Sequence, residues 1–178
     1  LRLIDKCLNM NADVVFWHDS KFPIVHSKKS SEEQWEWIYN NFSSIYGYNL
    51  YSHNIKTYGM EAKDEFSKFY IEAKDINERK WKKRAKSAGI KYIYSLQPGY
   101  DDRPLRGLKR PSIKPSIDFF LKDWGRILKR IDYGDKVFIT SFNEWYEGTA
   151  IEPDTKNQYS LLEANKKVVE SISNYVCR

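Results

Sequence analysis

The sequence predicts an α/β fold built on a parallel sheet. Short apolar stretches alternate with longer segments of helical spacing four times along the 178 residues, and such alternation implies parallel strands joined by right-handed crossovers. The chain is long enough for one domain with a core, and no repeat or composition shift divides residues 1–178. Four strand–helix units fit either half of a (β/α)8 barrel or a small open sheet, and both interpretations stay open on pattern alone.

The first predicted strand is Val14–Trp17, a short apolar run that follows a turn-forming stretch. Upstream of it, the apolar residues at positions 1, 4 and 8 have the spacing of an amphipathic helix already under way. We therefore expect the chain to continue upstream of Leu1. After the strand, serines at 30 and 31 followed by Glu33 indicate the start of a helix.

The second and third strands are predicted at Ser44–Tyr48 and Lys91–Leu96. Between them, residues 62–88 have a helical pattern that we expect to form two pieces. Gly89 follows as a C-cap, because glycine adopts the left-handed conformation that ends many helices.

The third strand is separated from its helix by a loop, Gln97–Pro115, that is rich in Pro, Gly and Arg and too long for a simple connector. The fourth strand is predicted at Val137–Phe142, and the last helix begins near Gln158. The helix between loop and strand has the most regular apolar spacing in the chain, at Ile117, Phe120, Leu121, Trp124, Ile127, Leu128 and Ile131.

The charge pattern gives no sign of a nucleic-acid partner. The net charge is +6, but the basic residues are scattered, and the densest run, Lys80–Lys86, lies on a predicted helix that also carries acids. A solvated helix face explains this run better than a nucleic-acid patch. The sequence also has no apolar run long enough for a membrane span.

The cysteines and histidines do not predict a metal site or other cofactor. Cys7 and Cys177 are the only cysteines, so no CxxC pair exists, and whether the two are free or bridged stays open. His18, His26 and His53 lack the spacing of metal ligands.

Polar and aromatic residues follow each predicted strand, which is where parallel α/β folds gather their functional groups. We expect these segments to meet at one rim of the sheet. They are Trp17–Ser20, Tyr48-Asn49, Gln97–Arg103 and Asn143–Gly148.

Glu144 and Glu147 form the most specific candidate for chemistry. Carboxylates three residues apart lie roughly 5–6 Å apart on a helical turn or up to about 10 Å apart on extended chain. Both separations suit glycoside chemistry, in which one carboxyl donates a proton and the other stays ionised. Trp145 between them could desolvate one acid and raise its pKa. In the alternative interpretation, Asn143 caps a short helix whose first turn carries both acids.

Two other polar segments have competing interpretations. Asp19 is either a ligand for a sugar hydroxyl or a cap at the end of the first strand. For Asp101, Asp102 and Arg103, the favoured interpretation is an internal ion pair that fixes the loop. Neither a glycine-rich phosphate loop nor a nucleophile elbow occurs.

Four stretches resemble the endo-α-mannosidase family, glycoside hydrolase family 99. ITSFNEWYEGTAIEP, Ile139–Pro153, closely resembles the family signature ITSFNEWHEGTQIE, and SLQPGYDD, Ser95–Asp102, resembles the family loop SVGPGYID. VFWHDS, Val15–Ser20, and IYGY, Ile45–Tyr48, resemble the two preceding strands. The resemblance covers nearly the whole chain but only the C-terminal half of a family barrel.

The resemblance implies a (β/α)8 barrel and retaining cleavage of internal α-mannosidic bonds. It implies that Glu144 acts as a base on the sugar's own 2-hydroxyl, which attacks the anomeric carbon and forms a 1,2-anhydro intermediate. Glu147 would then protonate the leaving oxygen and later activate water. Asp19 and Tyr48 match residues that line the pocket. The full set of expected substrate contacts is Asp19, Tyr48, Tyr100, Asp102, Arg103, Asn143, Trp145 and Tyr146.

Two features of the sequence depart from the mannosidase pattern. Tyr146 stands where the mannosidases have His, and the following IEPDTKNQYSLLEA resembles the WbsX-type proteins encoded with bacterial polysaccharide assembly genes. The expected partners are an oligosaccharide or polysaccharide and the missing N-terminal half of the barrel. The three hypotheses are a retaining endo-glycosidase, a WbsX-type protein that transfers sugars, and a non-catalytic binding barrel. The presence of both glutamates argues against the third.

Overall fold

The computed structural model of the protein describes residues 15–19, 36, 40, 42–49, 66–107 and 112–176. Two strands come first, and from the second strand on helices and strands alternate, apart from one short extra helix in the loop after the third strand. In chain order the elements are β1 (Val15–Asp19), β2 (Ser44–Asn49), α1 (Phe66–Ser87), β3 (Lys91–Leu96), α2 (Arg103–Arg106), α3 (Ile117–Leu128), β4 (Lys136–Ile139) and α4 (Ser160–Val176).

The four described strands form one parallel sheet in the order β1-β2-β3-β4. In the register of the last pair, Ser95 of β3 lies opposite Phe138 of β4. A doubly wound sheet reverses its strand order at a switch point, and this sheet does not. Consecutive parallel neighbours are instead the arrangement found along the wall of a (β/α)8 barrel.

The hydrophobic core lies between the sheet and the helices. Tyr92, Tyr94 and Leu96 alternate along β3 and are buried in one cluster with Phe120 and Trp124 of α3. The same cluster includes Ala85 of α1, Leu161 of α4 and Ile127 of α3. The three long helices therefore pack on the same face of the sheet, which again fits a barrel wall.

Four charged side chains are buried beneath the carboxyl end of β3, between α1 and α3. Asp123 accepts hydrogen bonds from Lys74 and from Arg126, each at 2.7 Å, and Arg126 also pairs with Glu78. Burial alone would raise the pKa of Asp123, but the charges of Arg126 and Lys74 hold it below its usual value. Asp123 also accepts from the backbone N–H of Gln97 at 3.1 Å, so the network supports the start of the loop after β3.

Most predicted elements match the structure, with three corrections. β1 ends at Asp19, two residues after the predicted Trp17. α1 is one continuous 22-residue helix and not two pieces. The expected cap is confirmed, since Gly89 has a φ of +73°. β4 ends at Ile139, three residues before the predicted Phe142, because the chain after it pairs with its own loop.

Other predictions lie outside the described residues. They concern the helix upstream of residue 10 and most of the helix near 30–42, of which Glu36 and Asn40 are described and helical. That residues 1–178 form a single domain stays a prediction. Across the segments that the structure covers, none of the helices combines the length and the apolar character needed to cross a membrane.

Candidate active site

The segment from Thr140 to Pro153 forms a folded loop at the carboxyl end of β4. Its two arms lie side by side. The N–H of Ser141 donates to the carbonyl of Thr149 at 2.9 Å, and the N–H of Glu152 donates to the carbonyl of Phe142 at 2.8 Å. The hydroxyls of Ser141 and Thr149 also share a hydrogen bond of 2.9 Å. The loop therefore has an internal ladder that fixes the turn between its arms.

The first arm of this loop is anchored to two other strands. Thr140 is buried, and its N–H donates to the carbonyl of Leu96 at the end of β3 at 2.8 Å. Its hydroxyl shares a hydrogen bond with the hydroxyl of Tyr46 on β2. The ring of Tyr46 meets Phe138 of β4 edge-on, with 5.2 Å between centroids. The base of the loop is thus fixed across three neighbouring strands.

Glu144 and Glu147 lie on the turn at the tip. The N–H of Gly148 donates to the carbonyl of Trp145 at 3.1 Å, and the N–H of Thr149 donates to the carbonyl of Glu144 at 3.2 Å. These bonds close a turn at Trp145–Gly148 and no helix forms there, so the interpretation with Asn143 as a helix cap is wrong. Asn143 is exposed beside the turn.

The two acids are held in different ways. Glu144 is partly buried, its N–H donates to the hydroxyl of Ser141 at 2.9 Å, and its carboxylate accepts from the N–H of Tyr146 at 3.2 Å. Glu147, also partly buried, is fixed through its backbone, since its carbonyl accepts from the N–H of Asp101 at 2.8 Å. The orientation of one carboxylate is thus set within the turn, and the backbone of the other is set by the loop after β3.

Three exposed aromatic residues lie next to the two acids along the loop. Phe142 is 56% exposed, Trp145 48% and Tyr146 66%. The indole N–H of Trp145 donates to a carboxylate oxygen of Glu152 at 3.0 Å. About half of the Trp145 side chain is in solvent. The expected desolvation of one acid by this ring stays a prediction.

The loop after β3 contains the expected ion pair. Arg103 donates two hydrogen bonds to the carboxylate of Asp101, at 2.7 and 2.5 Å. These bonds hold the pKa of Asp101 below its usual value. Tyr100 and Asp102 are buried under the loop, where the tyrosine hydroxyl donates to Asp102 at 3.4 Å. Substrate contacts by Tyr100, Asp102 and Arg103 stay predictions, and in this arrangement the three side chains support the loop.

Asp19 and Tyr48 lie at the carboxyl ends of β1 and β2, and Asp19 is opposite Asn49 in the register. Because the strands are parallel, these backbone positions share an edge of the sheet with the loops after β3 and β4. The side chains of both residues lie outside the described part of the structure.

The sequence interpretation missed three residues that shape the site. Ser141 and Thr149 join the two arms of the loop, and Glu152 binds the indole of Trp145. All three belong to the stretch that contains the two acids. The signal available in the sequence was a hydroxyl residue on each side of the acids and a third acid after them. No cluster of potential metal ligands occurs in the described segments.

A family model described as "Glycosyltransferase WbsX" matches residues 8–165. The chain belongs to the WbsX glycosyltransferase family. This match covers most of the chain and confirms the WbsX resemblance that the residues after the two acids indicate. In a comparison with curated proteins, nothing matches this WbsX-family chain.

Solved structures are similar to the WbsX-family chain in fold. One described as "Glycoside hydrolase-like protein" has a TM-score of 0.63 at 12% identity, over 94% of this chain and 48% of that chain. The fold is therefore glycoside hydrolase-like, and the predicted partial barrel is confirmed. The chain spans about half the length of that protein.

Two further similar structures are of a GH99 endo-α-mannosidase from Bacteroides thetaiotaomicron. One, in complex with BIS-TRIS-propane, has a TM-score of 0.49 at 17% identity, over 99% of this chain and 75% of that chain. The other has a TM-score of 0.45 at 18% identity, over 94% of this chain and 68% of that chain.

Proposed function

We propose that this WbsX-family protein cleaves internal α-linked bonds of a mannose-containing glycan, with Glu144 and Glu147 as its carboxyl pair. The observation that carries the proposal is the turn at the end of β4, where two partly buried acids are fixed among exposed aromatic rings. Barrel enzymes assemble their active sites at this edge of the sheet.

The proposed reaction has two steps and retains the configuration of the sugar. In the first, Glu144 removes the proton of the sugar's 2-hydroxyl, and the freed oxygen attacks the anomeric carbon. Glu147 protonates the departing glycosidic oxygen, which leaves a 1,2-anhydro sugar. In the second, Glu147 takes a proton from water, the water oxygen opens the anhydro ring at the anomeric carbon, and Glu144 returns a proton to the 2-oxygen.

The bonds around each acid support this division of roles. The carboxylate of Glu144 accepts the N–H of Tyr146, and this bond fixes the direction in which the carboxylate would meet the 2-hydroxyl. The backbone of Glu147 is fixed by the N–H of Asp101, so this acid is held at the tip of the loop, where it would exchange protons with the leaving group and then with water. The rings of Trp145 and Tyr146 offer apolar faces on which sugar rings stack.

The test is incubation of the full-length protein with an α-mannan, followed by mass analysis of the oligosaccharides released. Glu144→Gln and Glu147→Gln should each reduce release by about 10²–10⁴-fold, the usual range for a lost acid or base, while mannan binding persists. Glu170→Gln is the matched control, because this carboxylate is 59% exposed on α4. Normal cleavage by either of the first two variants would refute the assignment.

A second candidate function is transfer of the glycosyl unit to another sugar, and the description of the matching family favours it. The same acids would serve, with Glu147 activating an acceptor hydroxyl in place of water. An added oligosaccharide acceptor should then yield products longer than the acceptor, whereas hydrolysis yields only shortened chains. Binding without any change in chain length would indicate the non-catalytic barrel.

A further inference from the structure

Trp145 and Glu152 connect the tip of the acidic loop to its second arm. The indole N–H of Trp145 donates to the Glu152 carboxylate at 3.0 Å, across seven positions of sequence. The backbone next to Glu152 is firmly held. Its own N–H and that of Ile151 donate to the first arm, and the side chain of Ile151 is buried in the main core cluster. The carboxylate that receives the indole therefore stands on a fixed support.

The hydrogen bond is not needed to satisfy a buried donor. Trp145 is 48% exposed, so water could accept its N–H at little cost. A carboxylate partner instead fixes the orientation of the indole. A hydrogen bond to a charged acceptor is stronger than one to a neutral group, so it holds the ring in one orientation more firmly. An exposed tryptophan without such a partner would be free to change its side-chain rotamer.

We infer that Glu152 is a positioning residue that holds the indole of Trp145 as a stacking face for a sugar ring next to the two acids. The inference rests on the proposed function, which identifies the ligand of the ring as a glycan. Glu152 itself need not touch the reacting atoms, because it acts through Trp145. Because Glu152 already holds the indole in one orientation, less side-chain freedom is lost when the glycan binds.

Three variants separate positioning from a general effect on folding. Glu152→Ala removes the acceptor, Glu152→Gln keeps an amide oxygen that can accept the indole N–H, and Trp145→Phe keeps an aromatic face without a donor. Glu152→Ala should raise the KM for an α-mannan oligosaccharide roughly tenfold with kcat nearly unchanged, the pattern expected when binding is lost equally in ground and transition states. Glu152→Gln should restore most of that loss.

A double-variant cycle isolates the contact. If Glu152 acts through the indole, Glu152→Ala should add nothing further to the KM of Trp145→Phe, because the bond is already gone. Tenfold effects that multiply in the double variant would overturn the inference. A KM for Glu152→Ala equal to that of the wild type would overturn it as well.

A readout without substrate keeps the inference distinct from the proposed function. The indole N–H signal of Trp145 in a ¹⁵N-correlated NMR spectrum is identified by its loss in Trp145→Phe. It should move in Glu152→Ala and stay near its wild-type position in Glu152→Gln, and an unmoved signal in Glu152→Ala would refute the contact. If the wild type neither binds nor cleaves the glycan, the proposed function fails and the stacking role fails with it, while the NMR result still decides whether Glu152 holds the ring.

Discussion

The backbone N–H of Asp101 donates a 2.8 Å hydrogen bond to the backbone carbonyl of Glu147. This bond joins the loop after β3 to the loop after β4 at the residue proposed as the acid. Gly148 follows directly, with a φ of +61°, and a Cβ added to it would meet Asp101. The placement of Glu147 therefore depends on two loops that are far apart in sequence.

Gly148→Ala should damage this contact. A Cβ there would lie 3.2 Å from the backbone nitrogen of Asp101 and 3.3 Å from its Cβ, and alanine is also disfavoured at positive φ, by about 1–2 kcal/mol. We expect the free energy of unfolding to fall by that amount and glycan cleavage to fall about tenfold or more, because an acid displaced by a fraction of an ångström aligns poorly. Denaturant unfolding and product release measure the two effects.

Gly134→Ala is the matched control for that prediction. Gly134 has a φ of +82°, and a Cβ added to it would meet nothing within 4 Å, so alanine there has the backbone cost without a clash. This variant should lose similar stability and keep full cleavage. Equal cleavage by the two variants would show that the contact between Asp101 and Glu147 does not matter for turnover.

The ion pair between Asp101 and Arg103 should make a small, pH-dependent contribution to stability. Because the folded pKa of Asp101 is lowered, this contribution is present above the unfolded value of about 3.9 and disappears as the pH falls through the lower folded value. Partly exposed pairs contribute about 0–1 kcal/mol. Asp101→Asn should therefore unfold slightly more easily than the wild type at pH 6, and the difference should vanish in strong acid. A difference that grows as the pH falls would contradict this assignment.

The sequence pattern correctly predicted those helices and strands whose apolar residues repeat regularly, at helical or strand spacing. β3 matches its prediction at both ends, and the apolar stripe of α3 places Phe120, Trp124 and Ile127 in the core. The prediction of α1 as two pieces was wrong, and this helix buries two charged residues, Lys74 and Glu78. Their partners lie on another helix, and no local pattern indicates them.

The candidate site also has features that the sequence predicted and features that depend on the folded loop. The position of Glu144 and Glu147 after a strand could be inferred from order along the chain. The early end of β4 could not, because it depends on pairing between Ser141 and Thr149 across the turn. The bond between Trp145 and Glu152 is likewise set by the folded loop, and a pattern of spacing does not contain it.

Lys74→Met should be strongly destabilising. Among the described residues, it leaves Asp123 and Glu78 buried with only Arg126 paired to them, and breaking a buried pair in this way costs about 3–5 kcal/mol. Lys166→Met is the control, because its pair with Glu170 is long, at 3.7 Å, and largely exposed, and such pairs contribute about 0.5 kcal/mol or less. Similar unfolding midpoints in denaturant for the two variants would show that the buried network is not needed for stability.

Gly99→Ala should disturb the loop after β3, which also contains Asp101. A Cβ on Gly99 would lie 2.6 Å from the Cα of Pro115 and 2.7 Å from the carbonyl oxygen of Ile113, and neither backbone atom can move aside easily. We expect a loss of about 1–3 kcal/mol, as for other overpacked sites, measured by denaturant unfolding. Gly125→Ala in α3 meets nothing within 4 Å and should instead stabilise the protein by about 0.5–1 kcal/mol.

The effect of Gly99→Ala on cleavage tests how the two loops are coupled. Asp101 lies two residues further on, so displacement of the loop should weaken its bond to Glu147 and reduce cleavage. Gly148→Ala acts on the same bond from the other side. The double variant should therefore lose less cleavage than the product of the two single losses, because the shared contact is broken only once. Losses that multiply would mean that the two glycines act on Glu147 by separate routes.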